Sequence, residues 1–385
     1  MTPFTFNTTP SIVSGAGSAA RLGEIIKGKL GKRVFVVTDP GIVKAGLLEA
    51  SLESLTAADI GWAVFSSVVA DPPEQIIHDA VAQAKAFGAE GVIGLGGGSS
   101  LDVAKLVALL ARGGETLSDI YGVGLAKGPR LPLALAPTTA GTGSEVTPIS
   151  IVTTGASEKK GVVSPVILPD IAILDADLTL KLPAHVTAAT GVDAMVHAIE
   201  AYTSASANNN PVSRMLAMEA LRLLGANIRT AVTNGENRDA RGKMLLGSLL
   251  AGQAFANSPV AAVHALAYPI GGHFHVPHGL SNALVLPHVL TFNAPAARAA
   301  YADLAPLVFP QLGDRGVNDR CEGFIMGLAS LSADLGLQTR LRDVKIPRDA
   351  IPLLASDAMK QTRLLVNNPK PLHEEDARAI YEKAW

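Results

Sequence analysis

The sequence predicts two domains of different class, an α/β domain on a parallel sheet over residues 1–182 and an all-helical domain over residues 183–385. Three observations carry this expectation. Short β-rich runs alternate with helical patterns in the first half of the chain. After about Pro183 the segments become Ala/Leu-rich with helical spacing and few β-branched runs. The length, 385 residues, is enough for a sizeable core in each half.

Taken in order, residues 11–13 (SIV) are too short to read as a convincing strand. Residues 33–38 (RVFVVT) read as a buried strand closed by the turn Asp39-Pro40-Gly41. Residues 63–65 form a weaker strand ahead of Asp71-Pro72-Pro73, and residues 76–87 have helical spacing. Residues 91–95 (GVIGL) are strand-like, 99–112 form an amphipathic helix, and 131–136 (LPLALA) form another buried strand. Strand, helix and strand in this rhythm imply a parallel sheet with helices on both faces. In the second half, residues 186–203, 211–228 and 241–256 are each helically periodic. An active site is expected in a cleft between the two domains.

Composition excludes several classes of function. Apolar residues make up 48% of the chain and charged residues 17%, which is too apolar for disorder. A net charge of -2, with no basic tract interleaved with aromatics, argues against nucleic-acid or membrane-surface binding. The single cysteine, Cys321, rules out an intrachain disulfide and a thiolate zinc cluster. The first residues lack the cationic start and apolar stretch of a secretory signal, and no apolar run is long enough to span a bilayer. A cytoplasmic protein is expected.

Gly96-Gly97-Gly98-Ser99-Ser100 joins a strand to a helix. Glycines let backbone approach an anion closely, and the N–H groups that open a helix favour phosphate. Gly15-Ala16-Gly17-Ser18-Ala19-Ala20 matches the dinucleotide fingerprint more literally, yet without a buried strand before it the stretch reads as a turn into a helix beginning near Ala19. Asp39, at a strand's carboxyl end, suits a ribose hydroxyl and would repel a 2′-phosphate, favouring NAD over NADP; its bland alternative is the first residue of a turn. The stretch Pro137 to Glu145 (PTTAGTGSE) suits either a ligand crevice or an ordinary polar loop.

Asp193 and His197 stand at i and i+4 on a mostly apolar helix, so they share a face. Burying both is costly unless each finds a partner, and a metal ion would serve both. Four of the nine histidines, His264, His273, His275 and His278, fall in one short apolar region further on. Imidazole nitrogens with a carboxylate oxygen suit Fe(II) or Zn(II) with an open coordination position.

Together the motifs GGGSSLDVAK (residues 96–105), PTTAGTGSEVTP (137–148), ATGVDAMVHAIEAY (189–202) and HALAYPIGGHFHVPHGLSNALVLPHV (264–289) resemble the iron-containing alcohol dehydrogenase family along nearly the whole chain. The resemblance implies a nucleotide-binding first domain and a metal-binding helical second domain. It implies metal ligands at Asp193, His197, His264 and His278, leaving His273, His275 and His288 as non-ligands. It implies NAD contacts at Asp39, Gly97, Gly98, Ser99, Thr138, Thr139 and Lys160, with Asp102 near the nicotinamide side. Many members carry a proton-relaying histidine where this chain has Tyr268, so Tyr268 or His273 is expected to take that part. The implied reaction is metal-assisted oxidation of a small primary alcohol to its aldehyde, and the reverse, in a homodimer or larger assembly. A hydroxyacid–oxoacid transhydrogenase and a maleylacetate-reductase-like enzyme are the alternatives.

Overall fold

The structure, a computed structural model, describes residues 3–155 and 158–385. The chain divides into two compact units, Asn7–Leu182 and Pro183–Trp385, the second joined by the segment that ends at Phe6.

The first unit contains strands β1 (Ser11–Ser14), β2 (Arg33–Val37), β3 (Gly61–Phe65), β4 (Gly91–Gly96), β5 (Gly122–Val123), β6 (Leu133–Pro137), β7 (Ile149–Thr154), β8 (Glu158–Val163) and β9 (Ile171–Leu174). Its helices are α1 (Leu22–Ile26), α2 (Pro40–Lys44), α3 (Glu49–Ala57), α4 (Glu74–Phe87) and α5 (Gly98–Arg112). Six strands form one parallel sheet in the order β1-β9-β6-β4-β2-β3. Strand side chains alternate between two cores, as a sheet covered on both faces requires. Val34 and Val36 pack with Leu22, Ile26 and Leu55, while Phe35 and Val37 pack with Ile77 and Leu101. A smaller sheet, β5-β8-β7, stands apart, with β7 antiparallel to β8.

The sheet's order places its switch point. From β2 the chain moves outward to β3, crosses back to β4, and continues the other way to β6 and β9. The crevice at the carboxyl ends of β2 and β4 is therefore where a parallel α/β sheet receives a ligand. Asp39 follows β2 and Gly97 follows β4.

One expectation fails here: residues 11–14 are a strand. β1 lies at the sheet's edge, in register with β9, and half of its residues face outward, which hides it from a search for buried runs. The Gly15–Ala20 stretch does turn into a helical segment at Ala19. Its amides are already taken: Gly17 N and Ala19 N donate to the two oxygens of Asp175 at 3.0 and 2.8 Å. The buried carboxylate of Asp175 occupies the anion position that a phosphate would need.

The second unit is helical: α6 (Ala184–Thr203), α7 (Pro211–Thr233), α8 (Arg238–Asn257), α9 (Ala262–Phe274), α10 (His278–Val308), α11 (Val317–Asp334), α12 (Ile351–Met359), α13 (Thr362–Leu365) and α14 (Glu374–Ala384). The middle of α6, from Gly191 to Ala201, is buried throughout, so it is the axis of the unit. No helix among the described residues is long and apolar enough to cross a membrane.

Candidate functional site

In the α/β unit, β4 runs out at Gly96 and α5 begins at Gly98, with Gly97 extended between them (φ -75°, ψ 180°). That conformation is open to any residue, so the fold does not demand glycine at 97. A Cβ there would meet nothing closer than 3.8 Å, the methyl of Thr139. A Cβ on Gly98 would fall 2.7 Å from the Thr142 methyl, so Gly98 is also needed for packing. A bare backbone with room in front of a helix start fits a dinucleotide phosphate.

Asp39, Ser99, Ser100 and Thr138 gather at the same edge. Asp39 caps α2 through Oδ1, which accepts from Gly41 N and Ile42 N, while Ser100 Oγ donates to its Oδ2 at 3.2 Å. The Asp39 carboxylate thus faces the glycine turn. Thr138 N donates to Gly96 O at 2.9 Å, which sets the Thr138–Thr139 loop beside Gly97. Ser99 lies in the first turn of α5. Lys160 stands on the smaller sheet, its ammonium 5.7 Å from the Tyr121 ring centroid and 3.7 Å from Glu158.

Asp102 is committed to its surroundings. Its Oδ1 accepts from Ser144 Oγ at 2.6 Å and its Oδ2 from Ile151 N at 2.9 Å, so it anchors β7 and the loop before it onto α5. Lys105, fully buried, donates to Ser144 Oγ, Thr147 Oγ1 and Ile149 O. Burial pulls the Lys105 ammonium down to about 8, against the opposing pull of Asp102 and Glu145. Burial raises Asp102 as well and pushes Glu145 up to about 7.

In the helical unit, α6 presents Asp193 and His197 on one face, α9 brings His264 in its first turn, and α10 starts at His278. One donor atom from each of these four lies within 4.8 Å of the other three. Gly279 makes the approach of α10 possible, since a Cβ there would lie 2.4 Å from Ala189 O on α6. Asp193, His197 and His264 are buried, and His278 is 43% exposed, leaving one open side. The ring of His197 stacks between Phe255 (4.3 Å) and His264 (4.7 Å). Burial alone would raise Asp193, but His197, His278 and His264, with the Asn282 amide, outweigh it and hold the carboxyl below its ordinary range.

The donor chemistry fits a divalent cation. Asn282 Nδ2 lies 2.5 Å from Asp193 Oδ1 and 3.3 Å from both His264 Nε2 and His278 Nε2, so three lone-pair donors converge on one point. The opposite atom of that amide, Oδ1, is buried without a partner. Three nitrogens, one carboxylate oxygen and no thiolate suit Fe(II) or Zn(II).

Other histidines of the region go elsewhere. His273 Nε2 donates to Asp357 Oδ2 at 2.5 Å, and Asp357 also accepts from Lys360. His275 closes α9 in the left-handed region (φ 53°). Tyr268 is half-buried, its ring centroid 5.9 Å from that of His278. Sequence reasoning overlooked two buried residues beside the cluster, Glu200 and Asn282. Their spacing was the available signal: Glu200 lies seven residues past Asp193, and Asn282 four past His278.

A parallel-sheet unit with a bare glycine turn at its switch point, followed by a helical unit whose convergent donor set could hold a cation, fits the make-up of a metal-assisted dehydrogenase. The family models agree. Residues 9–176 match the iron-containing alcohol dehydrogenase model, and residues 187–385 match the C-terminal model of the same family. The chain is 41% identical to long-chain-alcohol dehydrogenase 1 of Geobacillus thermodenitrificans, covering 96% of this chain and 94% of that protein. Among solved structures it is similar to a 1,3-propanediol oxidoreductase at 34% identity and a TM-score of 0.96, covering both chains completely. It is also similar to the sulfoacetaldehyde reductase of Bifidobacterium kashiwanohense in complex with NAD+, at 27% identity and a TM-score of 0.87, over 99% of each chain. The chain belongs to the iron-containing alcohol dehydrogenase family, and with it to the oxidoreductases acting on CH–OH donors.

Proposed function

We propose that this enzyme oxidises a small primary alcohol to its aldehyde, and catalyses the reverse reaction, with NAD and a single Fe(II) held by Asp193, His197, His264 and His278. The observation that carries the reading is the convergence of those four donors within 4.8 Å, on a face left open at His278. Bound there, the cation supplies Lewis acidity to an alcohol oxygen, and NAD supplies the acceptor for the carbinol hydride.

The chain's own residues do the rest. Gly97, Gly98 and Ser99 offer backbone N–H groups to the pyrophosphate, and Thr138 and Thr139 border it. Asp39 accepts from ribose hydroxyls and disfavours a 2′-phosphate, which supports NAD. Lys160 is assigned to the cofactor by resemblance. Asp102 acts by holding the loop before β7 through Ser144 and β7 itself through Ile151. Tyr268, beside His278, relays the hydroxyl proton, its Oη taking that proton as it passes its own phenolic proton on toward solvent; His273, whose Nε2 donates to Asp357, is the alternative relay through Nδ1. The complete donor set disfavours a reductase that works without metal. A cytoplasmic homodimer or larger assembly goes with this reading, supported by the family resemblance and by a lone cysteine that makes no intrachain disulfide.

The test is NADH formation by anaerobically purified protein across a series of primary alcohols, before and after chelation and after adding back Fe(II) or Zn(II). Turnover restored by Fe(II) supports the reading and ranks the substrates. Full turnover in chelated protein shown to be free of metal would sink it.

A further inference from the structure

Glu200 sits on the same face of α6 as Asp193 and His197, one turn beyond His197. It is 3% exposed, and neither of its oxygens is idle. Oε1 accepts from Val263 N at 2.7 Å, one of the N–H groups that the start of α9 leaves without a helical partner. Oε2 lies 2.6 Å from His264 Nδ1.

A carboxylate offers only lone pairs, so the proton in that second bond sits on Nδ1 of His264. The ring's Nε2 is then left as a lone pair, and it is Nε2 that points into the cluster, 3.9 Å from Asp193 Oδ1. The opposite tautomer would put a proton where a ligand atom is needed and press two lone pairs together at 2.6 Å. A purely structural helix tie would need only the bond to Val263. The second bond selects a ring state.

We propose that Glu200 is a positioning residue of the metal centre, fixing the tautomer and ring orientation of His264 while tying the first turn of α9 to α6. The inference rests on the metal reading above. Its chemistry is general: a carboxylate behind an imidazole ligand orients the ring and raises its basicity, and losing it costs roughly 10–100-fold in metal affinity. Glu200→Gln retains the size and one acceptor oxygen but turns an NH₂ group toward either Val263 N–H or His264 Nδ1–H.

Two measurements test it on the full chain. In metal-free wild-type protein with nitrogen-15 in its histidines, the ring shifts of His264 should report a single Nδ1–H tautomer, and Glu200→Gln should lose that preference. Competition for Co(II) against a chromophoric chelator should show Glu200→Gln binding about 10–100-fold more weakly than wild type, with an unchanged far-ultraviolet circular dichroism spectrum. An Nε2–H tautomer in the wild type overturns the inference without any variant. Equal Co(II) affinity in the two proteins overturns it while leaving the metal reading intact. A wild type that binds no Co(II) overturns both.

Discussion

Asn282 Nδ2 approaches Asp193 Oδ1 to 2.5 Å, inside a helical unit where both residues are buried. The amide is therefore the partner that makes the buried carboxylate tolerable in metal-free protein, a part that a cation takes over on binding. Replacing Asn282 with the similarly sized leucine leaves Asp193 short of a donor, at about 1–3 kcal/mol. Asn282→Leu should lower the unfolding midpoint clearly in chelated protein and much less in protein saturated with metal. Equal losses in the two states would contradict this relation.

Gly97 is glycine for the ligand and not for the backbone. Gly97→Ala adds a methyl that meets nothing within 3.8 Å and needs no unusual φ. Thermal stability should stay within about 0.5 kcal/mol of wild type, while the KM for NAD rises at least about tenfold as the methyl takes the approach to the helix N-terminus. Gly98→Ala, which collides with Thr142, should lose stability as well. An unchanged KM in Gly97→Ala would remove the turn from the cofactor site.

Asp39 combines two jobs, capping α2 and placing negative charge beside the glycine turn. Asn is as good a cap as Asp but carries no charge. Asp39→Asn should keep stability and raise the NADP-to-NAD ratio of kcat/KM by about 10–100-fold, because like-charge repulsion of the 2′-phosphate is lost. A ratio that stays put would assign Asp39 to the turn alone.

Glu145 gives the α/β unit a pH dependence. It is 1% exposed, its Oε2 has no hydrogen-bond partner, and burial lifts it from 4.5 to about 7. The folded state thus holds a proton that the unfolded chain has released. The associated stability is present below about 4.5 and is lost as pH rises through about 7. Lys105, lowered from 10.5 to about 8, adds stability only at higher pH, so it does not offset the loss in this window. Denaturant unfolding of wild type and Glu145→Gln should diverge by about 3 kcal/mol between mildly acidic and mildly alkaline buffer, the variant losing less. Parallel pH profiles would show that Glu145 stays ionised.

The sequence made the long buried strands β2, β4 and β6 and the helices α6 to α8 legible, because continuous apolar runs and 3.6-residue periodicity survive without context. β1 and β9 escaped because each has four residues, and β1 alternates half-buried with exposed residues. β8 escaped because Lys159 and Lys160 break its apolar pattern, whereas its partner β7 (ISIVTT) carries a β-branched run that the reading passed over. Around the metal cluster, Asp193 and His197 could be paired by helical spacing. The choice of His264 and His278 over His273 and His275 rested on resemblance, since spacing alone does not show that His273 turns to Asp357 or that His275 closes a helix. Glu200 and Asn282 stayed hidden because their part depends on α6, α9 and α10 meeting, which is tertiary information.

The central claim is that Asp193, His197, His264 and His278 hold one metal ion on which turnover depends. Iron content per chain and NADH formation should be measured together on anaerobically loaded wild type and His264→Ala. The account expects about one iron per wild-type chain, and in the variant a joint loss of bound iron and turnover. A His264→Ala protein that turns over at the wild-type rate without metal would contradict it.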